Sequence, residues 1–185
     1  MPSPLAHATM GYVVYRMARP RMPQADSRRI GPLPMLLMAT VGLSVLPDVD
    51  AVFGIMMGDL GRFHNHLVNT PLFGLLIALV VASLVWLKQR SGFLCWFLVA
   101  LVSYELHIFM DVLTDGRGVM LLWPFSLTRY QSPVILFYGL HWSDGLISPR
   151  HLVTLVTELG FVLFVGVILR IVPGRHGSLR VSRDC

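Results

Sequence analysis

Apolar residues run almost unbroken through three stretches of this chain: "TPLFGLLIALVVASLVWLK" from Thr70, "GFLCWFLVALVSYELHIFMDVL" from Gly92 and "HLVTLVTELGFVLFVGVILRIV" from His151. Each is long enough to cross a bilayer as a helix, since about 20 residues at ~1.5 Å each span a ~30 Å hydrocarbon core. A fourth run, "PLPMLLMATVGLSVLPDVDAVFGIMM" from Pro32, is interrupted by Pro47, Asp48 and Asp50. Its helix either stops near Leu46 or continues with a kink. Ahead of it, "PLAHATMGYVVYRMA" is helical in pattern but short, a spanning, half-spanning or interfacial segment.

Between Asp115 and Arg150 the pattern breaks. Gly116, Gly118, Pro124, Pro133, Gly139, Gly145 and Pro149 punctuate aromatics such as Trp123, Phe125, Tyr130 and Tyr138. Such a segment is expected to be a long loop lying at the membrane interface, where Trp and Tyr prefer to sit. No internal repeat is evident. The expectation is an all-α, polytopic helical membrane protein with about four to five membrane helices and a long outer loop, forming one domain over residues 1–185.

Composition agrees with that class. Of 185 residues, 55% are hydrophobic and 14% charged, far from the balance of a soluble domain. The opening residues lack the basic region and long apolar stretch of a signal peptide, so the first segment is expected to belong to the mature protein. Cys95 and Cys185 make no Cys-based metal motif. The net charge of +5 reads first as a topology signal rather than as nucleic-acid binding, which is not expected. Eleven basic residues, from Arg16 to Arg29, Lys88 with Arg90, and Arg170 to Arg183, fall on one side of the proposed spans, and Arg62, Arg117, Arg129 and Arg150 fall on the other. The eleven should lie in the cytoplasm.

The polar residues then sort to the opposite face. Asp48 and Asp50 lie toward the outer end of the second segment, His64 and His66 in the first outer loop, His107 and Asp111 in the outer half of the helix from Gly92, and His7 joins them if the first segment crosses inward. Ionisable groups inside a membrane are costly and usually face a partner or a polar cavity. His107 and Asp111 carry the most specific pattern, because residues at i and i+4 share a helix face and can converge on one ion. Counted from Leu113, His107 lies about 10 Å and Asp111 about 3 Å beneath the outer helix end. Imidazole with carboxylate suits Zn²⁺ first, with Mn²⁺ or Fe²⁺ as alternatives. The plainer reading of the pair is a buried His–carboxylate contact with no metal. Glu105 lies about 160° round the helix from His107 and is expected to be an interhelical partner, with Glu158 a candidate for the other half. His141, His151 and His176 have no companion at ligand spacing.

Four motifs in this order, "SPLAHATMGY", "LPDVDAVFG", "HNHLVNTPLFG" and "HIFMDVLTDGRGVMLLWPFS", resemble the membrane-bound metal-dependent hydrolases, also described as LexA-binding, inner-membrane-associated hydrolases. The resemblance covers roughly Ser3 to Ser126. It implies a metal site formed by His7, Asp48, Asp50, His64, His107 and Asp111. One departure stands out, for the family's outer motif reads His-Arg-x-x-Thr-His-Ser, and aligning His64 with its first His leaves Asn69 at the second and Thr70 at the Ser. Either His66 substitutes by a local shift or this chain lacks one ligand. The set is also similar to that of zinc-dependent phospholipase C and related nucleases.

These expectations join into one reading: a multi-pass protein of the cytoplasmic (inner) membrane with a hydrolytic site of one or two divalent metals at the non-cytoplasmic face. Its surroundings would be the lipid bilayer, and its substrate a lipid or other phosphoester or ester at headgroup depth. A bound cation would lower the pKa of a water to roughly 7 and polarise the ester. Two other readings remain beside it: a non-enzymatic cation- or proton-handling protein using Glu105 and Glu158, and a regulatory protein whose basic cytoplasmic tail meets a protein partner that the sequence does not identify.

Overall fold

In the computed structural model, residues 2–22, 32–58, 67–140 and 148–171 are described. Six α-helices follow one another: α1 Pro4–Ala18, α2 Pro32–Val45, α3 Val49–Met56, α4 Pro71–Gln89, α5 Phe93–Val112 and α6 Arg150–Ile171. The described residues contain no strand. Four segments are long and apolar enough to cross a membrane, Pro34–Ala51, Pro71–Gln89, Phe93–Val112 and Arg150–Ile171. Helices are the form expected there, because a chain in hydrocarbon must satisfy its own backbone hydrogen bonds.

The segment from Pro32 continues with a kink: α2 ends at Val45, a 3₁₀ turn covers Leu46–Asp48, and α3 resumes at Val49. Pro47 accounts for it, since a proline cannot donate to the preceding turn and its ring crowds the carbonyl there. The first segment is a 15-residue helix, about 22 Å long at ~1.5 Å per residue, packed against α2, α5 and α6. It is shorter than the four spanning segments and lies among them.

Local signals set the ends. Ser3 caps α1, its hydroxyl accepting from Leu5 N–H, with Pro4 in the first turn; Thr70 caps α4 in the same way, accepting from Phe73 N–H, with Pro71 behind it. Arg90, at φ 57°, closes α4 in the left-handed region, and Gly92, at φ 72°, starts α5. That short turn makes α4 and α5 an antiparallel hairpin with extensive mutual packing. Ala78 and Ala82 of α4 and Ala100 of α5 are buried, letting the helices approach closely.

Gly11 plays the same part between α1 and α2. A Cβ there would meet Ser44 Oγ at 2.4 Å, the Thr40 carbonyl oxygen at 2.7 Å and Val41 Cα at 2.8 Å. The α1–α2 crossing is therefore as close as backbones allow, one helical turn from His7.

Residues 113–149 connect α5 to α6 without a helix or strand among the residues described, as the loop expectation held. Isolated bridges join Thr114 to Phe137 and Val119 to Tyr130. Ser132 and Leu136 N–H groups donate to the carbonyls of Val112 and Leu113, which fastens residues 132–137 beside the end of α5. Phe125, Leu127, Val134 and Leu136 remain exposed along this loop.

Candidate metal centre

Three helices bring acids and imidazoles together at one end of the bundle. His7 comes from the first turns of α1, Asp48 from the 3₁₀ turn after α2, and His107 and Asp111 from one face of α5, the face that the i, i+4 spacing implied. Their exposures are 0% for His7, 7% for Asp48, 1% for His107 and 4% for Asp111. This is a sealed polar cluster inside an apolar bundle.

The distances are short. His107 Nε2 lies 3.4 Å from Asp48 Oδ1 and 3.6 Å from Asp111 Oδ2, and His7 Nε2 lies 3.6 Å from Asp111 Oδ1. The two imidazoles stack with centroids 3.7 Å apart and planes 20° from parallel. His7, Asp48 and His107 each offer a ligand atom within 4.8 Å of the other two, so the three could hold a metal ion. Asp111 touches both histidines and completes a ring of four residues.

Hydrogen bonding decides what this ring can bind. His107 Nδ1 lies 2.8 Å from the Ser44 carbonyl oxygen, which can only accept, so Nδ1 carries the proton and donates. A neutral His107 then presents Nε2 as a bare lone pair toward two carboxylates. Asp111 Oδ2 also accepts from Asn69 Nδ2 at 2.5 Å. Among the described residues, both nitrogens of His7, both carboxylate oxygens of Asp48, His107 Nε2 and Asp111 Oδ1 make no hydrogen bond although they are buried. Unpaired buried acceptors cost several kcal/mol each in an apolar medium, of order 2–7. Acceptors facing acceptors need a positive charge among them. It is a cation, or a proton carried by an imidazole or by a carboxyl oxygen, and two imidazolium rings stacked at 3.7 Å would repel each other.

The remaining expected ligands are Asp50, His64 and His66. Asp50 is buried on α3, two residues beyond Asp48, but stands outside the three-residue group within reach of one ion. His64 and His66 lie outside the described residues. Asn69, the departure from the family pattern, sits in the site and binds Asp111.

Glu105 and Glu158 take separate places. Glu105 lies against α4, where its Oε1 would be 2.5 Å from a Cβ on Gly74. Glu158 accepts from Ser3, at the start of α1. The idea that Glu158 answers Glu105 is thereby replaced by two contacts with different helices. Two contributors escaped the sequence reading: the Ser44 carbonyl that orients His107, and the Tyr104 hydroxyl that donates to Val68 O at 2.5 Å and steadies the turn carrying Asn69. A backbone carbonyl leaves no mark in a sequence, and a tyrosine in an apolar run reads as packing. Only the family pattern singled out Asn69.

The inner membrane protein YbcI of Escherichia coli (strain K12) is 28% identical over 147 residues, which cover 76% of this chain and 79% of that protein. No solved structure matches. The model of the YdjM inner membrane protein family matches residues 1–175, nearly the whole chain and every residue of the cluster. This chain belongs to the YdjM inner membrane protein family.

Proposed function

We propose that the chain is a membrane-bound metal-dependent hydrolase, a single membrane-embedded domain with its metal site toward the non-cytoplasmic face. The observation that carries the reading is the buried convergence of His7, Asp48, His107 and Asp111 with their unsatisfied atoms turned on one another. His7, Asp48 and His107 would hold the ion, and Asp111 is the better candidate than Asp50 for a further or bridging ligand because it touches both imidazoles. A mixed imidazole and carboxylate set fits zinc, with manganese or iron as alternatives. When bound, such a cation supplies Lewis acidity toward water and toward an ester oxygen.

This chain's own residues prepare the site. The Ser44 carbonyl fixes the His107 tautomer, so that Nε2 and not Nδ1 faces the acids. Asn69 holds one oxygen of Asp111 and leaves the other toward His7. Gly11 allows α1 close enough to α2 for His7 to stack on His107. The asymmetry of eleven basic residues against four supports placing the cluster at the non-cytoplasmic end. At that depth the natural substrate is a phosphoester or other ester of the lipid headgroup region.

The test uses purified protein in lipid, assayed with bis(4-nitrophenyl) phosphate, 4-nitrophenyl butyrate and dispersed phospholipid. Hydrolysis that a chelator abolishes, zinc restores and Asp48→Asn lacks is the expected result. Zinc-loaded wild-type protein inert toward all three classes would contradict it.

The complete burial of His7 and His107 favours a second reading, in which the ion is a fixed structural tie between α1, α2 and α5. That reading expects a chelator to lower thermal stability while no ester is turned over.

A further inference from the structure

Glu158 takes no part in the cluster, yet it is only 1% exposed on a helix whose neighbouring side chains face outward, Leu155 at 50% and Leu159 at 45%. A carboxylate held out of water in a spanning helix is unfavourable unless it is hydrogen-bonded. One residue supplies both bonds. Glu158 Oε1 accepts from the Ser3 N–H at 2.6 Å, and Oε2 accepts from the Ser3 hydroxyl.

Ser3 is the cap of α1. Its carbonyl accepts from the N–H groups of Ala6, at 3.1 Å, and His7, at 3.4 Å, so the backbone of His7 hangs one helical turn below the residue that Glu158 grips. Around this contact α6 is fastened to the same end of the bundle. Thr154 Oγ1 donates to Gly139 O at 2.7 Å, and Phe161 meets Phe137 edge-on, packing against the cluster of Ala6, Met110 and Phe137. Thr154, Glu158, Phe161 and Val165 recur at helical spacing and form the inward stripe of α6.

The α1–α2 crossing alone specifies the axial position of α1 poorly. About Gly11 it is made of van der Waals contacts with Thr40, Val41 and Ser44, which tolerate sliding better than directional hydrogen bonds do. We infer that Glu158 is a positioning residue for His7: by holding both donors of Ser3 it sets the height of α1, and so places the His7 imidazole against Asp111 and His107. This rests on the metal-site reading for its effect on zinc, but its effect on His7 does not.

The experiment compares Glu158→Leu, Glu158→Gln, Ser3→Ala and His107→Ala in the full chain, purified in detergent and stripped of metal. Two quantities are read: the zinc dissociation constant by competition with a chromophoric chelator, and the carbethoxylation of His7 and His107 by mass spectrometry. Removing a group that orients a metal ligand weakens affinity by about 10- to 100-fold. Glu158→Leu should show that loss together with a reactive His7 and a protected His107. Glu158→Gln, which can still accept from Ser3 N–H, should recover most of both, and Ser3→Ala should fall between. A His7 as protected in Glu158→Leu and Ser3→Ala as in the wild type would overturn the inference, as would an exposed His7 that Glu158→Gln does not rescue. Zinc affinity unchanged in His107→Ala would instead remove the metal reading, and His7 reactivity alone would then decide the role of Glu158.

Discussion

Replacing Gly11 by alanine should damage the site from a distance. The added methyl would lie 2.4 Å from Ser44 Oγ, 2.7 Å from the Thr40 carbonyl oxygen and 2.8 Å from Val41 Cα. A hydroxyl can rotate away, but the other two atoms belong to the backbone of α2 and cannot. The helices must therefore separate by several tenths of an ångström, and overpacking of this kind costs about 1–3 kcal/mol. At roughly 2–4 °C per kcal/mol for a chain of this length, the unfolding midpoint should fall by several degrees. His7 shares the face of Gly11 one turn away, so the same shift pulls its ring from His107 and zinc affinity should fall with stability. Gly42→Ala on α2 is the control, since a Cβ there meets nothing within 4 Å. It should be neutral or slightly stabilising, because alanine is favoured over glycine in a helix by about 0.5–1 kcal/mol. Thermal unfolding followed by intrinsic fluorescence, with zinc titration beside it, reads both effects. Gly11→Ala behaving like Gly42→Ala would refute the close-crossing argument.

Three further outcomes follow. A chelator should lower the unfolding midpoint of zinc-loaded wild type but leave Asp48→Asn, already without the ion, nearly unchanged, since ligand bound only to the folded state stabilises it by mass action; equal shifts would show that chelation acts elsewhere. In a background with Cys95 and Cys185 replaced by Ser, an impermeant thiol reagent should label Arg129→Cys on intact cells and not Ser91→Cys, as the basic asymmetry requires. The reverse pattern would turn the cluster to the cytoplasm. Phe125, 94% exposed on the loop between α5 and α6, should when replaced by Trp be quenched by lipids brominated near the headgroup, and an unquenched, water-like emission would place the loop away from the bilayer.

What could be read from the chain alone follows from how strongly each feature is constrained locally. Long apolar runs leave a helix as the stable form in hydrocarbon, so α4, α5 and α6 were legible with small errors at their ends. The shared face of His107 and Asp111 follows from helical geometry. Pro47 permits either a stop or a kink, and only packing chooses between them. His7, a lone histidine in a short helix, had no local pattern to distinguish it from a packing residue; the family resemblance singled it out. The partnership of Ser3 with Glu158 joins residues 155 positions apart, and nothing near either one announces the other. Asn69 was legible as a departure from a motif, while its bond to Asp111 needed the fold.

The proposed chemistry depends on a divalent cation in the cluster at the end of α5. Elemental analysis of protein purified without added chelator tests it most directly, in wild type beside His107→Ala, Asp48→Asn and Glu105→Gln. Glu105 lies on the same helix as His107 but against α4, so its replacement controls for loss of an acid within the membrane. At least one divalent ion per chain is expected in wild type and Glu105→Gln, with loss of that ion in His107→Ala and Asp48→Asn. Protein that carries no metal, or the same metal content in all four forms, would overturn that reading and leave a proton, on an imidazole or on a carboxyl oxygen, among the acids.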